Sequence, residues 1–222
     1  MEETKSLNNI ESHYIDANSK IRIITQKQRK YLFIRFKTGR RYSMHYAGCG
    51  LFSLAHAIQW LTNHKLTDEA EEVALIKKLI NFKINTFHNL TYAIQIVEAN
   101  YPGIIYHQGA LNKNTLTVEK VKSIFDDGGV IIAIPKVHYL LAVGYKYYKN
   151  KLYIQIVDSC PYSTIKPRDG HSLHIGYSFD SMDEIKTPFS GAAQYWIPWD
   201  CFSGNCSHTE RRFGDWWWLS TN

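Results

Sequence analysis

The sequence predicts an α+β fold, and three observations carry that expectation. Capping signals and helical runs fill the stretch from Gly48 to Gly129. β-type runs joined by short links follow from Val130 onward. The two textures are segregated along the chain, which is the mark of α+β. A chain of 222 residues buries a sizeable core without disulfide or metal staples. A single domain over 1–222 is therefore expected. Within it, 1–41 is a basic N-terminal arm with strands, 42–128 the helical part and 129–222 the antiparallel sheet part.

Each element has a local reason. Residues 1–20 are polar and read as a flexible or loosely docked arm. Two β-like runs follow, at Ile21–Ile24 and Tyr31–Phe36, with Gln26 to Lys30 as a hairpin turn and Thr38 to Arg41 as a loop. Gly48-Cys49-Gly50 opens a helical run through Leu61. Thr67 is placed to cap a second helix, with acids in its first turn and lysines later, as the macrodipole favours. A third helix covers Leu90 to Ala99 and stops before Pro102-Gly103. A fourth runs from Val118 to Phe125 and ends at Gly128-Gly129. Three β runs come next, Val130–Ile134, Tyr139–Tyr145 and Leu152–Asp158, the last two linked by a turn at Lys149-Asn150-Lys151. Residues 159–190 are rich in Ser, Pro, Gly and Asp and read as a long surface excursion, a length that usually lines a site. Aromatic runs at Gln194–Trp199 and Trp216–Leu219 close the chain. Trp216, Trp217 and Trp218 read as a strand with core on one side rather than a sugar or membrane platform. There is no internal repeat.

Composition narrows the function classes. With 45% hydrophobic and 21% charged residues, disorder and low-complexity fibre are excluded as the main state. No stretch approaches the ~20 apolar residues of a membrane span. The start, Met1 to Asn9, lacks the apolar core of a signal peptide, so a cytoplasmic location is expected, with leaderless export left open. The formal charge is +6, and Lys20 to Arg41 holds nine of the 26 basic residues and no acid. Such a stripe can bind nucleic acid or acidic peptide, or can be a solvated strand face, which is the preferred reading. Four cysteines, Cys49, Cys160, Cys201 and Cys206, are too few for a disulfide scaffold. Cys201, Cys206 and His208, with His171 and His174, could supply zinc ligands, but the spacing is loose, and neither metal nor cofactor is expected. A late disulfide is an equal alternative.

The informative chemistry begins at Tyr46-Ala47-Gly48-Cys49-Gly50. A cysteine between glycines sits where a loop turns into a helix. The helix dipole there stabilises a thiolate and lowers the thiol pKa. Gly48 and Gly50 allow close backbone approach and leave room for a substrate carbonyl. The Cys49 N–H supplies half an oxyanion hole. His138 stands at the mouth of one β run and Asp158 at the end of the next. A hairpin about Asn150 brings the two to one sheet end, provided that a bulge or longer loop absorbs the uneven spacing. A thiol, an imidazole and an orienting carboxylate form the nucleophile, base and orienter of acyl transfer. His56, seven residues after Cys49, reads as a partly buried helix histidine with a backbone partner.

These blocks resemble the papain-like cysteine peptidases. The resemblance rests on Gly48-Cys49-Gly50 before a Ser/Leu/Ala helix, on His138-Tyr139-Leu140-Leu141-Ala142-Val143-Gly144, and on Val157-Asp158, over about residues 42–160. The nearest subgroup is the double-glycine leader peptidases of bacteriocin export, with phytochelatin synthase as a more distant relative. The resemblance implies Cys49 as nucleophile, His138 as general base and acid, and Asp158 as its orienter, with Gly48, Gly50 and Tyr139 beside the substrate. One position departs from the family. The glutamine usually found about six residues before the cysteine is Ser43 here, and losing one oxyanion donor typically costs ~10²–10³ in rate. Ser43, His45 or Tyr46 can donate in its place. The expected activity is hydrolysis of a peptide or isopeptide bond through a thioester acyl-enzyme, with a peptide or protein substrate. Acyl or peptidyl transfer on the same residues, an inactive binding module and nucleic-acid binding through the basic stripe are the alternatives. The sequence leaves the oligomeric state open.

Overall fold

Alternating apolar residues after Val130 pair into one antiparallel sheet, and the helices before it pack on its faces. The computed structural model of the chain describes residues 12–25, 28–35, 43–82, 90–135, 138–148, 150–159, 194–205 and 213–221. In chain order the elements are β1 (Ser12–His13), α1 (Ala17–Lys20), a 3-10 turn (Arg29–Leu32), α2 (Met44–Ala47), α3 (Cys49–Thr62), α4 (Glu69–Asn81), α5 (Leu90–Asn100), β2 (Ile104–Tyr106), α6 (Val118–Asp126), β3 (Val130–Pro135), β4 (Leu140–Tyr148), β5 (Lys151–Val157), β6 (Gln194–Pro198), α7 (Trp199–Phe202) and β7 (Phe213–Thr221). Helix and antiparallel sheet are thus mixed as α+β. Among the described residues no helix is long and apolar enough to cross a membrane.

The sheet order is β2-β7-β3-β4-β5-β6. β4 is central: β5 lines one edge, while β3 covers Leu140–Ala142 of the other and β1 covers Tyr145–Lys146. One face carries Val130, Ile132, Leu141, Val143, Val157 and Leu219 into a core shared with α3 and α5. The opposite face carries Ile131, Ala133, Leu140, Ala142, Ile154 and Ile156 against Val121, Ile124 and Phe125 of α6 and Phe202 of α7. Helix α3 is buried from Gly50 through Leu61, which makes it the central helix rather than an amphipathic surface one.

The β4–β5 hairpin decides where its ends meet. Tyr148 opposes Lys151 at the hairpin end, with Asn150 in the turn at φ 61°. Gly144 opposes Gln155, but Ala142 opposes Ile156, so Val143 is an extra residue in a β-bulge. If the same residues paired in a regular ladder with no bulge, position 158 would fall opposite 141 and share a side with 139. With it, 158 falls opposite 140 and shares a side with 138. Gly144 is needed here because a Cβ would sit 2.6 Å from the His13 carbonyl oxygen and 2.8 Å from Gln155 Oε1.

The amino-terminal segment departs from expectation. Neither Ile21–Ile24 nor the described part of the second run, residues 31–35, forms a strand; the former has no regular structure, and 29–32 is the 3-10 turn. Arg35 makes an isolated bridge to Ser43. The reason is that buried side chains take the backbone groups that a strand partner would otherwise satisfy. Gln59 Oε1 accepts the Arg22 N–H at 2.9 Å, and its Nε2 donates to the Arg22 carbonyl at 3.1 Å. His56 Nε2 accepts the Ile24 N–H at 2.8 Å. Residues 12–20 are likewise docked rather than loose. Gln155 Nε2 donates to the Ile15 carbonyl at 2.7 Å. Gln194 accepts the Ala17 N–H at 2.9 Å and donates to Asp16 Oδ1 at 2.9 Å.

Glu72 anchors the same strap from α4. It takes Arg22 Nε at 2.8 Å, Lys30 Nζ at 2.6 Å and the Tyr31 hydroxyl. Lys20 Nζ stands 4.4 Å over the Trp60 ring. Part of the basic stripe therefore faces internal partners rather than a solvated strand face. Asp68, not Thr67, caps α4, accepting the Glu71 N–H at 2.9 Å; the Glu71 carboxylate reaches back to the Thr67 N–H at 2.7 Å. The three-residue β2, too short for its alternation to register, adds a strand that the sequence does not announce. Residues 1–11, the loop Thr38–Arg41 and the excursion from Cys160 onward lie outside the described residues.

Candidate active site

Cys49 is the first residue of α3, and the short α2 ends at Gly48 immediately before it. Gly48 is there for packing: a Cβ would lie 2.4 Å from the Met44 carbonyl oxygen and 2.5 Å from the Phe52 ring. That close approach alone requires a glycine here. Gly50 is buried within α3. The Cys49 thiol is reduced and partly exposed at the helix tip, where the first-turn N–H groups have no intrahelical partner.

The imidazole and the carboxylate meet beyond the ends of their strands. His138 lies two residues before β4, and Asp158 immediately follows β5. His138 Nε2 and Asp158 Oδ1 are 2.7 Å apart, with side-chain exposures of 15% and 6%. His138 is also hydrogen-bonded to the Cys49 side chain. With Nε2 turned to Asp158, Nδ1 is the ring nitrogen left for the sulfur. The backbone N–H groups of Tyr139 and Gly50 also donate to that sulfur. The structure thus brings Cys49, His138 and Asp158 together, with the bulge at Val143 supplying the register.

The electrostatics favour charge separation. Burial alone pushes the Cys49 thiol up, but the hydrogen bond and charge of His138 outweigh it, and the thiol lies below its ordinary value. Burial alone would lower His138; the Asp158 charge and hydrogen bond, aided by Cys49, instead push it up to about 10. Cys49 and His138 stabilise each other as thiolate and imidazolium, and Asp158 supplies the larger part of the shift on His138. Burial, with the nearby Cys49 charge adding to it, pushes the Tyr139 phenol up to about 12.

The remaining sequence candidates are distributed around this point. Ser43 is buried at 5% exposure at the start of α2, and its hydroxyl has no hydrogen-bond partner among the described residues. His45 lies half-buried in α2, and of Tyr46 only the backbone is described, in the same helix. Tyr139 is half-buried and tilts against Trp217, ring centroids 5.8 Å apart. His56 is fully buried at 0% exposure, with its backbone partner Ile24, and burial lowers its pKa to about 4. Cys201 is buried in α7. Cys160, Cys206, His171, His174 and His208 lie outside the described residues, and among those described no three metal-ligating side chains gather.

One contact has no counterpart in the sequence pattern. Tyr195 on β6 donates its hydroxyl to Asp158 Oδ2 at 2.9 Å. Its only signal in the chain is membership of an aromatic run, which marks a strand and says nothing of a carboxylate. Compared with known proteins, the chain matches no family model, no curated protein and no solved structure.

Proposed function

We propose that this protein is a papain-like thiol hydrolase, cleaving a peptide or isopeptide bond in a peptide or protein substrate. The observation that supports this reading most is the His138–Asp158 contact at 2.7 Å, with Cys49 hydrogen-bonded to the same imidazole at the tip of α3. Cys49 acts as nucleophile in its thiolate form. Attack on the carbonyl carbon forms the C–S bond and moves the carbonyl electron pair onto oxygen. The Cys49 N–H and a second donor, for which the Ser43 hydroxyl is the candidate, receive that oxyanion. The His138 imidazolium then gives its proton to the leaving amine as the C–N bond breaks. The thioester that remains is hydrolysed by a water from which neutral His138 takes a proton. Asp158 stays ionised throughout and holds the ring.

The test is labelling with a peptide-based thiol-reactive probe at neutral pH, followed by mass spectrometry. Wild type is expected to carry one label at Cys49, and Cys49→Ala none. Equal labelling of Cys49→Ala, or an inert wild-type Cys49, removes the hydrolase reading.

A further inference from the structure

A carboxylate at a strand end is a poor orienter on its own. It can rotate about its last torsion, and its two oxygens are equivalent. His138 offers it a single donor, Nε2, and the pair is largely shielded from water, with 6% of the Asp158 side chain exposed. Something has to fix which oxygen faces the ring. Asp158 Oδ1 takes His138 at 2.7 Å, and Oδ2 takes the Tyr195 hydroxyl at 2.9 Å.

Tyr195 is well placed for this. On β6 it opposes Ile156, so it shares a side of the sheet with position 158. Its ring packs against the core cluster of Ile154, Ile156, Ile197 and Phe202, so the hydroxyl is held by a fixed body rather than a free side chain. Three adjacent chain segments, the ends of β4, β5 and β6, thereby supply the imidazole, the carboxylate and the phenol in series.

We propose that Tyr195 is a positioning residue for His138: its hydroxyl pins the Asp158 carboxylate so that Oδ1 stays directed at Nε2. This rests on the hydrolase reading only for its consequence in catalysis; the pinning itself is independent of it. Tyr195 acts through Asp158.

The experiment is a double-mutant cycle on the rate of Cys49 alkylation by iodoacetamide at pH 6.5, with thermal unfolding as a check on folding. Tyr195→Phe removes only the hydroxyl and is expected to slow alkylation by ~3–10-fold. In an Asp158→Ala background the same change is expected to do nothing further, since residues that act through one another are not additive. An unchanged rate for Y195F, or the same loss in both backgrounds, overturns the proposal. A second arm places 3-fluorotyrosine at position 195, which keeps the fold and makes the hydroxyl a stronger donor to Oδ2. It draws charge away from the imidazolium, so His138, followed by nuclear magnetic resonance titration, is expected to lose its proton at lower pH. No shift overturns the proposal even if Y195F does not fold. An unreactive wild-type Cys49 would remove the hydrolase reading, while this arm still reports on Tyr195.

Discussion

The chemistry of Cys49 is set by its neighbours, and pH separates their effects. A thiol held below its ordinary value stays ionised as pH falls below the usual thiol range, and loses its charge only through the depressed folded value. Alkylation of wild-type Cys49 should therefore remain fast near pH 7. His138→Ala removes the opposing charge and leaves the burial that pushes the thiol up. Its labelling inflection should move to higher pH, and the rate near pH 7 should fall about tenfold for every pH unit by which the inflection comes to lie above pH 7. For turnover the sign reverses at the other limb. His138 is raised to about 10, so the protonated imidazole is present at neutral pH and is lost as pH rises through that value. The same shift makes His138 a stabilising group whose contribution is complete below its ordinary pKa and fades on the alkaline side. A pH–rate profile that falls at pH 7, or an inflection unmoved in His138→Ala, would contradict the ion pair.

At the scale of elements the β-bulge in β4 does the positioning. Deleting Val143 closes the bulge without moving the register: Ala142 still opposes Ile156, Leu141 still opposes Val157, and 158 still falls opposite 140. The expected outcome is a sheet signal retained in circular dichroism, lower stability from the lost core side chain, and probe labelling at Cys49 retained; lost labelling in a folded variant would contradict this register. Much of this is legible in the sequence. Strands β3 to β7 and helices α3 to α6 show as apolar runs and breakers, because each is a local signal tied to a period or a cap. The candidate site is legible for the same reason: Gly48-Cys49-Gly50, His138 and Asp158 each mark an end of a regular element, and the uneven spacing about Asn150 calls for a bulge or a longer loop, of which the structure has the bulge. What stays hidden depends on long-range partners. Ile21–Ile24 has strand composition, yet Gln59 and His56 take its backbone groups from 37 and 32 residues away. Tyr195 resembles any strand aromatic until β6 is laid beside β5.

Across the molecule, the amino-terminal strap is held by anchors that are polar and buried. Glu72, at 1% exposure, is the most heavily used of them. Burial would raise its pKa, but hydrogen bonds from Lys30, Tyr31 and Arg22 outweigh burial and lower it, so its contribution is present above the ordinary carboxylate range and is lost as pH falls through the depressed value. Glu72→Gln should cost about 2–4 kcal/mol in urea unfolding, less than the full penalty of a broken buried pair because Arg22 still reaches water. A change under ~0.5 kcal/mol, the range of an ordinary surface substitution, would mean the strap is held mainly by its apolar residues, Ile21, Ile24 and Tyr31.

The strap's other anchors set a timetable for biosynthesis. Ala17 and Asp16 wait for Gln194, 177 and 178 residues later, and Ile15 waits for Gln155, 140 residues later. At ~5–20 residues per second of translation, residues 15–17 wait many seconds for the residues that seat them. Closing so wide a loop costs entropy before any contact offsets it. Residues 15–17 are thus made before the partners that seat them, and dock after the hairpin of β4 and β5 has formed the surface that receives them.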